Sequence, residues 1–403
     1  MSSSVEATLA SLVSIPSVTG NERDIRDHLA TRLDDLGLEV EAFDADLDLI
    51  RADPGYPGSE VDRSDLPLVI AHLNRGAPGR RVLLNGHMDV VPAGDVTSWR
   101  SDPFDPVVED GVMYGRGTSD MKGGVTAILE TVKHLTDARH AGPVTVAFVP
   151  SEEDGGAGTL AAIRHGLDAD VAIIPEPTNL EIVTAHGGAI TFALKVPGRA
   201  AHAATRTEGI SALDMLVPVL DALRRDEAAR NSDPADERMA ELGLPYPTIV
   251  GEISGGSWAS TVMDELVVNG RYGVRLGQSC DEAATDLRNA VLGMWESHEF
   301  LSEHPLDLTI YGARFGSCAI DADHPLATGL ADVFETTTGT PTALKGLPAA
   351  TDMRLLVEEG GIPTVVFGPG ELRHAHSADE RVRLSDIDTC AQVLVNWIMS
   401  PSN

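Results

Sequence analysis

The chain has 403 residues, 42% of them apolar and only 4% aromatic, and a formal charge of −32 at pH 7. That length exceeds one ordinary core and implies two domains, with interiors built mainly from Val, Leu, Ile and Ala. The charge excludes binding to a nucleic-acid backbone as the main function, because that needs a basic surface.

The acids are spread along the chain, so no acidic tail explains the charge. Lysine occurs only at positions 122, 133, 195 and 345, whereas Arg is common. No run of about 18 apolar residues exists, so no membrane-spanning helix is expected. Residues Met1 to Glu6 lack a basic region followed by an apolar block, and no secretory signal is expected. Cys280, Cys318 and Cys390 are few and far apart. That argues against a disulfide framework and points to a reducing, cytoplasmic setting.

In chain order, residues 5–36 show helical spacing in two stripes. Leu9, Leu12 and Val13 form one, and Ile25, His28, Leu29 and Leu33 the other. The stretch Ile15 to Glu22 breaks the helix, and its end is expected to cap the second one. Leu38 to Phe43 alternates as a strand. Asp44 to Pro67 is acidic, holds Pro and Gly, and reads as a surface loop. Leu68 to Leu73 and Arg81 to Leu84 read as neighbouring strands joined through Gly76-Ala77-Pro78-Gly79. The second strand runs into Gly86-His87-Met88-Asp89, where side chains at i and i+2 share a face. An imidazole there can bind a cation, with the nearby carboxylate fixing its tautomer or joining the ligands. A strand-end His beside a solvated Asp is the plainer alternative.

Gly115-Arg116-Gly117-Thr118-Ser119-Asp120-Met121-Lys122-Gly123-Gly124 then precedes a helix carrying Val125, Ile128, Leu129 and Val132. The stretch lacks the order of a phosphate loop, and a central carboxylate would repel phosphate. Asp120 is either a site residue or an N-cap. Val144 to Pro150 is a buried strand ending in Ser151-Glu152-Glu153-Asp154, either a solvated loop or a site at a strand end, where open α/β sheets place theirs. Val171 to Ile174 ends similarly in Glu176. Thr364 to Phe367 is a strand followed by Ala375-His376-Ser377-Ala378-Asp379-Glu380, and the last helix carries Ile387, Val393, Leu394, Trp397 and Ile398.

Together His87, Asp120, Glu153, Glu176 and His376 supply two imidazoles and three carboxylates, with Glu152 left beside a ligand. Such donors, without thiolate, suit two Zn²⁺, with Co²⁺ or Mn²⁺ as alternatives. One bridging carboxylate with a His and a Glu on each side would hold metals about 3.5–4 Å apart. The remaining Glu would take a proton from a shared water.

The order of these motifs closely resembles the M20 metallopeptidase family, within it the acetylornithine deacetylase and succinyl-diaminopimelate desuccinylase branch, over nearly the whole chain. The resemblance implies that His87 and Glu176 bind one metal, that Glu153 and His376 bind the other, and that Asp120 bridges. It makes Glu152 the general base, gives Asp89 the orientation of His87, and implies a cis Asp120–Met121 peptide. The implied fold is α/β, a mixed-sheet, di-zinc aminopeptidase-like catalytic domain in two parts (1–185 and 316–403). An inserted α+β lid and dimerisation domain (186–315) lies between them.

Within that insertion, strands at Gly187–Val196 and Leu266–Leu276 and helices around 209–225 and 281–299 fit a small α+β unit. The motif at His202 resembles the lid His that reaches an active site to bind the substrate carbonyl. The family's Asn-x-x-Pro is replaced by Ser260 and Met263; Ser is a shorter donor. Arg271, Arg275 and Arg354 are candidates for gripping a free carboxylate, or else structural ion pairs. The expected activity is metal-dependent removal of an acyl group from an N-acyl amino acid or related small amide by a homodimer. The alternatives are a di- or carboxypeptidase of the same family and a catalytically silent binding protein on the same fold.

Overall fold

The computed structural model describes residues 2–400. The chain divides into two compact units. One contains residues up to Thr184, Ala319–Lys345 and everything from Thr351 on; the other contains Ala185–Cys318 with Gly346–Ala350.

The first unit is organised on a mixed sheet. Its strand order is Glu39–Asp44, Pro67–Leu73, Val144–Val149, Val82–His87, Val171–Ile174, Thr364–Val366, Ile182–His186 and Cys318–Ala319, with Leu344–Leu347 also on Ile182–His186. The central strands Val144–Val149, Val82–His87, Val171–Ile174 and Thr364–Val366 run parallel. They are almost wholly buried, which is why they read as continuous apolar runs rather than as an alternation. Helices Gly123–Asp137 and Leu384–Met399 pack on one another, and Ile128, Leu129, Val132, Leu394 and Trp397 are buried.

Three details differ from expectation. Pro67–Leu73 does not pair with Val82–His87, because Val144–Val149 lies between them, antiparallel to the first and parallel to the second. Val82–His87 is buried on both faces and takes parallel neighbours on both edges, leaving no edge for a hairpin partner. Glu22 stands at the start of the Arg23–Asp35 helix without a side-chain capping bond; its carboxylate turns inward instead. The Asp44–Pro67 stretch contains a short helix, Leu47–Arg51, capped by Asp46. It also buries Arg63 to 4% exposure, so it is not a purely superficial loop.

The second unit is an antiparallel sheet ordered Thr248–Gly255, Glu265–Val274, Gly188–Pro197, Asp307–Phe315. Helices Ala212–Asn231 and Cys280–Ser297 accompany it. Ile190, Phe192, Leu194 and Val196, two apart, form one buried face with Leu216, Val219, Leu287, Val291 and Trp295 from the helices. Ser279 and Glu282 close a reciprocal cap on the second helix.

Candidate metal centre

Three adjacent parallel strands end side by side. Val82–His87 delivers His87, Val144–Val149 leads into the Ser151–Asp154 turn, and Val171–Ile174 leads to Glu176. Sheets of this kind concentrate their chemistry beyond the carboxyl ends of the strands. Asp120 arrives from the turn before the Gly123–Asp137 helix. Gly124 lets that helix come close, since a Cβ there would sit 1.9 Å from the Pro175 carbonyl oxygen. The Asp120–Met121 peptide is cis, and Met121 Sδ lies 3.2 Å from the His87 amide nitrogen. His376 adopts φ 57°, in the left-handed region, on the segment before the final helix.

The carboxylate of Asp120 lies between the two imidazoles. His87 Nε2 is 3.0 Å from Oδ1, and His376 Nε2 is 3.4 Å from Oδ2. Outside this trio, Glu176 Oε2 is 3.7 Å from His87 Nε2, and Glu153 Oε2 is 3.1 Å from His376 Nε2. Ligand-type atoms of His87, Asp120 and Glu153 lie within 4.8 Å of one another, as do those of His87, Glu152 and Glu176. Among the described residues, Glu176 Oε1 is buried without a hydrogen-bond partner, an open acceptor of the kind a cation satisfies. Two imidazoles and several carboxylates form a donor set suited to two borderline or hard divalent ions. Glu152 is buried and adjoins the His87–Glu176 side.

The electrostatics follow from crowding acids in a buried place. Burial works to keep His87 neutral, but Glu176 and Asp120 together outweigh it and hold its pKa well above the ordinary value. The His376 side chain is half exposed; partial loss of water opposes its charged form, while hydrogen bonds to Asp120 and Glu153 raise its pKa to about 11. Burial would raise Asp120, yet the two imidazoles hold it well below its usual range. Burial pushes Glu176 up to about 7. Glu152 is pushed well above the normal carboxylate range by burial, with Glu176, Asp352 and Glu153 adding repulsion and His87 opposing. Protonated imidazoles thus balance the cluster, where cations can do the same.

The other candidates are distributed unevenly. The Asp89 carboxylate makes no hydrogen bond to His87 but lies within ion-pair distance of its ring. Nδ1 lies 2.8 Å from the Asp89 backbone carbonyl and 3.7 Å from its carboxylate. That carboxylate instead accepts the amides of Glu152 and Glu153, both at 3.2 Å, and the Thr19 hydroxyl at 3.1 Å. Arg354 is buried, and its guanidinium donates to the carbonyls of Thr351 (3.0 Å) and Gly155 (2.5 Å). It braces the chain beside the acid turn rather than presenting an open fork.

Arg271, Arg275, Ser260 and His202 belong to the second unit. The Arg271 guanidinium lies over the Phe315 ring at 4.8 Å, and Arg275 approaches Asp286 at 3.8 Å. His202 and Ser260 are close neighbours: the Ala203 amide donates to the Ser260 carbonyl at 2.9 Å, and His202 bridges to Thr261. His202 Nδ1 accepts the Ala204 amide at 3.1 Å. That arrangement puts the ring proton on Nε2, which is then a donor.

Two groups of supporting residues escaped sequence reasoning. Glu380 is 1% exposed. Its Oε1 accepts the amides of Ser119 and Asp120 at 3.0 and 3.1 Å, and Oε2 pairs with Arg116. The end of the Ala375–Glu380 motif contained that signal. Arg63, Glu22 and Asp154 form a buried ion cluster behind the acid turn. Two arginines, Arg51 and Arg63, within an acidic stretch were the available hint.

Comparison with known proteins places this site in context. The model of Peptidase family M20/M25/M40 matches residues 83–400. An N-formyl-4-amino-5-aminomethyl-2-methylpyrimidine deformylase from Bacillus subtilis (strain 168) is 26% identical over 405 residues, covering 94% of this chain and 89% of that protein. An acetylornithine deacetylase from Yersinia pseudotuberculosis serotype O:1b (strain IP 31758) is 30% identical over 328 residues, covering 78% and 77%. In fold, the chain is similar to an M20 family metallo-carboxypeptidase, Sso-CP2, from Sulfolobus solfataricus. The TM-score is 0.76 at 17% identity, with 98% of each chain covered. With the family model spanning both the strand that carries His87 and the segment that carries His376, this α/β chain belongs to the M20/M25/M40 peptidase family and is a hydrolase of that family.

Proposed function

We propose that the protein is a dinuclear amidohydrolase that removes an acyl group from an N-acylated amino acid or a related small amide. The observation that carries this reading is the Asp120 carboxylate, one oxygen toward each imidazole, flanked by Glu176 and Glu153, with a further buried Glu beside it. His87 and Glu176 would hold one metal, Glu153 and His376 the other, and Asp120 both. Zn²⁺ suits the donors, with Co²⁺ and Mn²⁺ as alternatives. Bound there, the metals would supply Lewis-acid polarisation of the amide carbonyl and lower the pKa of an attacking water.

The chain's own groups do the rest. Glu152 takes the proton from the water whose oxygen bonds to the acyl carbon. It delivers that proton to the nitrogen as the C–N bond breaks, giving an amine and a carboxylic acid, whose remaining proton passes to the amine to leave carboxylate and ammonium. Glu152 is also close enough to His87 and Glu176 to be a ligand. The base role is preferred because Glu153 already faces His376, leaving its neighbour available for proton transfer. Asp89 acts on the site through the backbone, by holding the amides of Glu152 and Glu153. The second unit would serve as lid and dimerisation domain, with the Nε2–H of His202 donating to the substrate carbonyl of a partner chain. Ser260, Arg271 and Arg275 remain candidates for substrate contact in that unit. A cytoplasmic setting fits the sparse, separated cysteines.

The curated relatives named as a deformylase and a deacetylase favour acyl removal over peptide cleavage. The deciding experiment is a turnover screen of the metal-loaded protein against N-formyl, N-acetyl and N-succinyl amino acids and dipeptides. Release of free amine from an N-acyl amino acid is the expected result. Cleavage confined to dipeptides would reassign the protein as a peptidase, and stable metal binding without any turnover would make it a binding protein.

A further inference from the structure

The turn Ser151-Glu152-Glu153-Asp154 has an unusual task. Two adjacent carboxylates must face different partners, Glu152 toward His87 and Glu176 and Glu153 toward His376. The backbone achieves this with Ser151 at φ 71°, a left-handed conformation that a non-glycine residue adopts only when held. Two buried carboxylates hold it. Asp89 accepts the amides of Glu152 and Glu153. Asp154 accepts the Ser151 hydroxyl on Oδ1 and the Ser59 hydroxyl on Oδ2, the latter at 2.5 Å.

Behind this turn stands Arg63. Its side chain is 1% exposed, and one nitrogen, Nη2, donates to Asp154 Oδ1 at 3.2 Å and Glu22 Oε1 at 3.1 Å. The side chains of Glu22 and Asp154 are 0% and 2% exposed. Glu22 Oε1 also accepts the Gly20 amide at 2.7 Å, close to the Thr19 that contacts Asp89. A single guanidinium therefore joins the Asp44–Pro67 stretch, the Thr19–Glu22 turn and the acid turn. Breaking such a buried pair from one side leaves an uncompensated charge, which the structure relieves by moving.

We propose that Arg63 is a positioning residue for the hydrolytic site. Acting through Asp154, it keeps the Ser151–Asp154 turn in the conformation that separates the roles of Glu152 and Glu153. The catalytic consequence rests on the amidohydrolase reading above; the conformational claim does not. Displacement of a proton-transfer group by about 1 Å can cost on the order of 10²-fold in rate.

The test uses the metal-loaded full chain with Arg63→Met, Arg63→Lys and Arg63→Gly. Arg63→Met is expected to lower kcat by about 10²-fold with KM changed only a few-fold, and Arg63→Lys by less. Arg63→Gly should regain activity saturably with low concentrations of guanidinium, but not with urea or sodium chloride. In parallel, hydrogen exchange of the Glu152 and Glu153 amides, which Asp89 protects, should accelerate at least about tenfold in Arg63→Met while the Val144–Val149 strand stays protected. If the variants merely melt earlier and keep wild-type kcat and amide protection at low temperature, the role is overturned. Should Arg63→Met not fold, Ser59→Ala and Asp154→Asn probe the same turn, and normal kcat and exchange in both would overturn it equally. A wild-type protein inactive on every amide would defeat the functional reading alone, since the exchange measurement still decides whether Arg63 holds the turn.

Discussion

Asp120 concentrates the consequences of a single side chain. With one oxygen toward each imidazole, Asp120→Ala should reduce metal content at both positions rather than one. Elemental analysis of the purified variant checks this, and a clean loss of one equivalent would contradict bridging. Glu152 gives a contrasting expectation. If Glu152 acts as the proposed base and not as a ligand, Glu152→Ala should retain two metals while kcat falls by about 10²–10⁴-fold, the usual scale of general acid–base assistance. Loss of metal in this variant would instead favour the ligand role that its proximity to His87 and Glu176 permits. The neighbouring carboxylates raise the pKa values of both His87 and His376, and a His must be neutral to ligate. Metal loading should therefore release protons, and affinity should weaken as pH falls. Calorimetric titration in buffers of different ionisation enthalpy reads the proton count directly.

At the scale of an element, the Gly123–Asp137 helix is placed by contact with Pro175. A Cβ at Gly124 would overlap that carbonyl, so Gly124→Ala must push the helix or the Pro175–Glu176 segment aside. Overpacking of this kind costs about 1–3 kcal/mol. Because the helix continues directly from the turn that carries Asp120, and the other segment carries Glu176, metal affinity should fall together with stability. Chemical denaturation and competitive chelation measure the two effects, and a change in stability without a change in affinity would separate helix packing from the site. The edge partner of the acid-turn strand illustrates a limit of local reading. Pro67–Leu73 and Val82–His87 are consecutive, yet Val144–Val149 lies between them. Strand adjacency is settled by which edges can be buried, and apolar periodicity alone carries no information on that choice.

For the whole molecule, the proposed lid makes assembly testable. If His202 serves a partner's site, Glu152→Ala and His202→Ala homodimers should each be almost inactive. A mixed dimer contains one site with both defects and one with neither, so subunit exchange should restore about half the wild-type activity per mixed dimer. Native mass spectrometry confirms exchange; absence of recovery after confirmed exchange would place His202 within its own chain's site or outside catalysis.

The sequence by itself determined the elements that carry the chemistry. Continuous apolar runs announced the buried parallel strands, and motif order brought His87, Asp120, Glu153, Glu176 and His376 forward as a donor set. These features are local, because burial on two faces and turn chemistry leave their mark within a few residues. Tertiary structure alone decided the support around them. It assigned Asp89 to the amides of Glu152 and Glu153, turned Arg354 to backbone carbonyls, and drew Glu22 and Arg63 inward from apparent surface positions. A buried charge looks in sequence like an exposed one. Its partner lies 91 residues away for Arg63 and Asp154, and 264 for Arg116 and Glu380. Only the folded chain shows which charges must neutralise one another once water has been excluded.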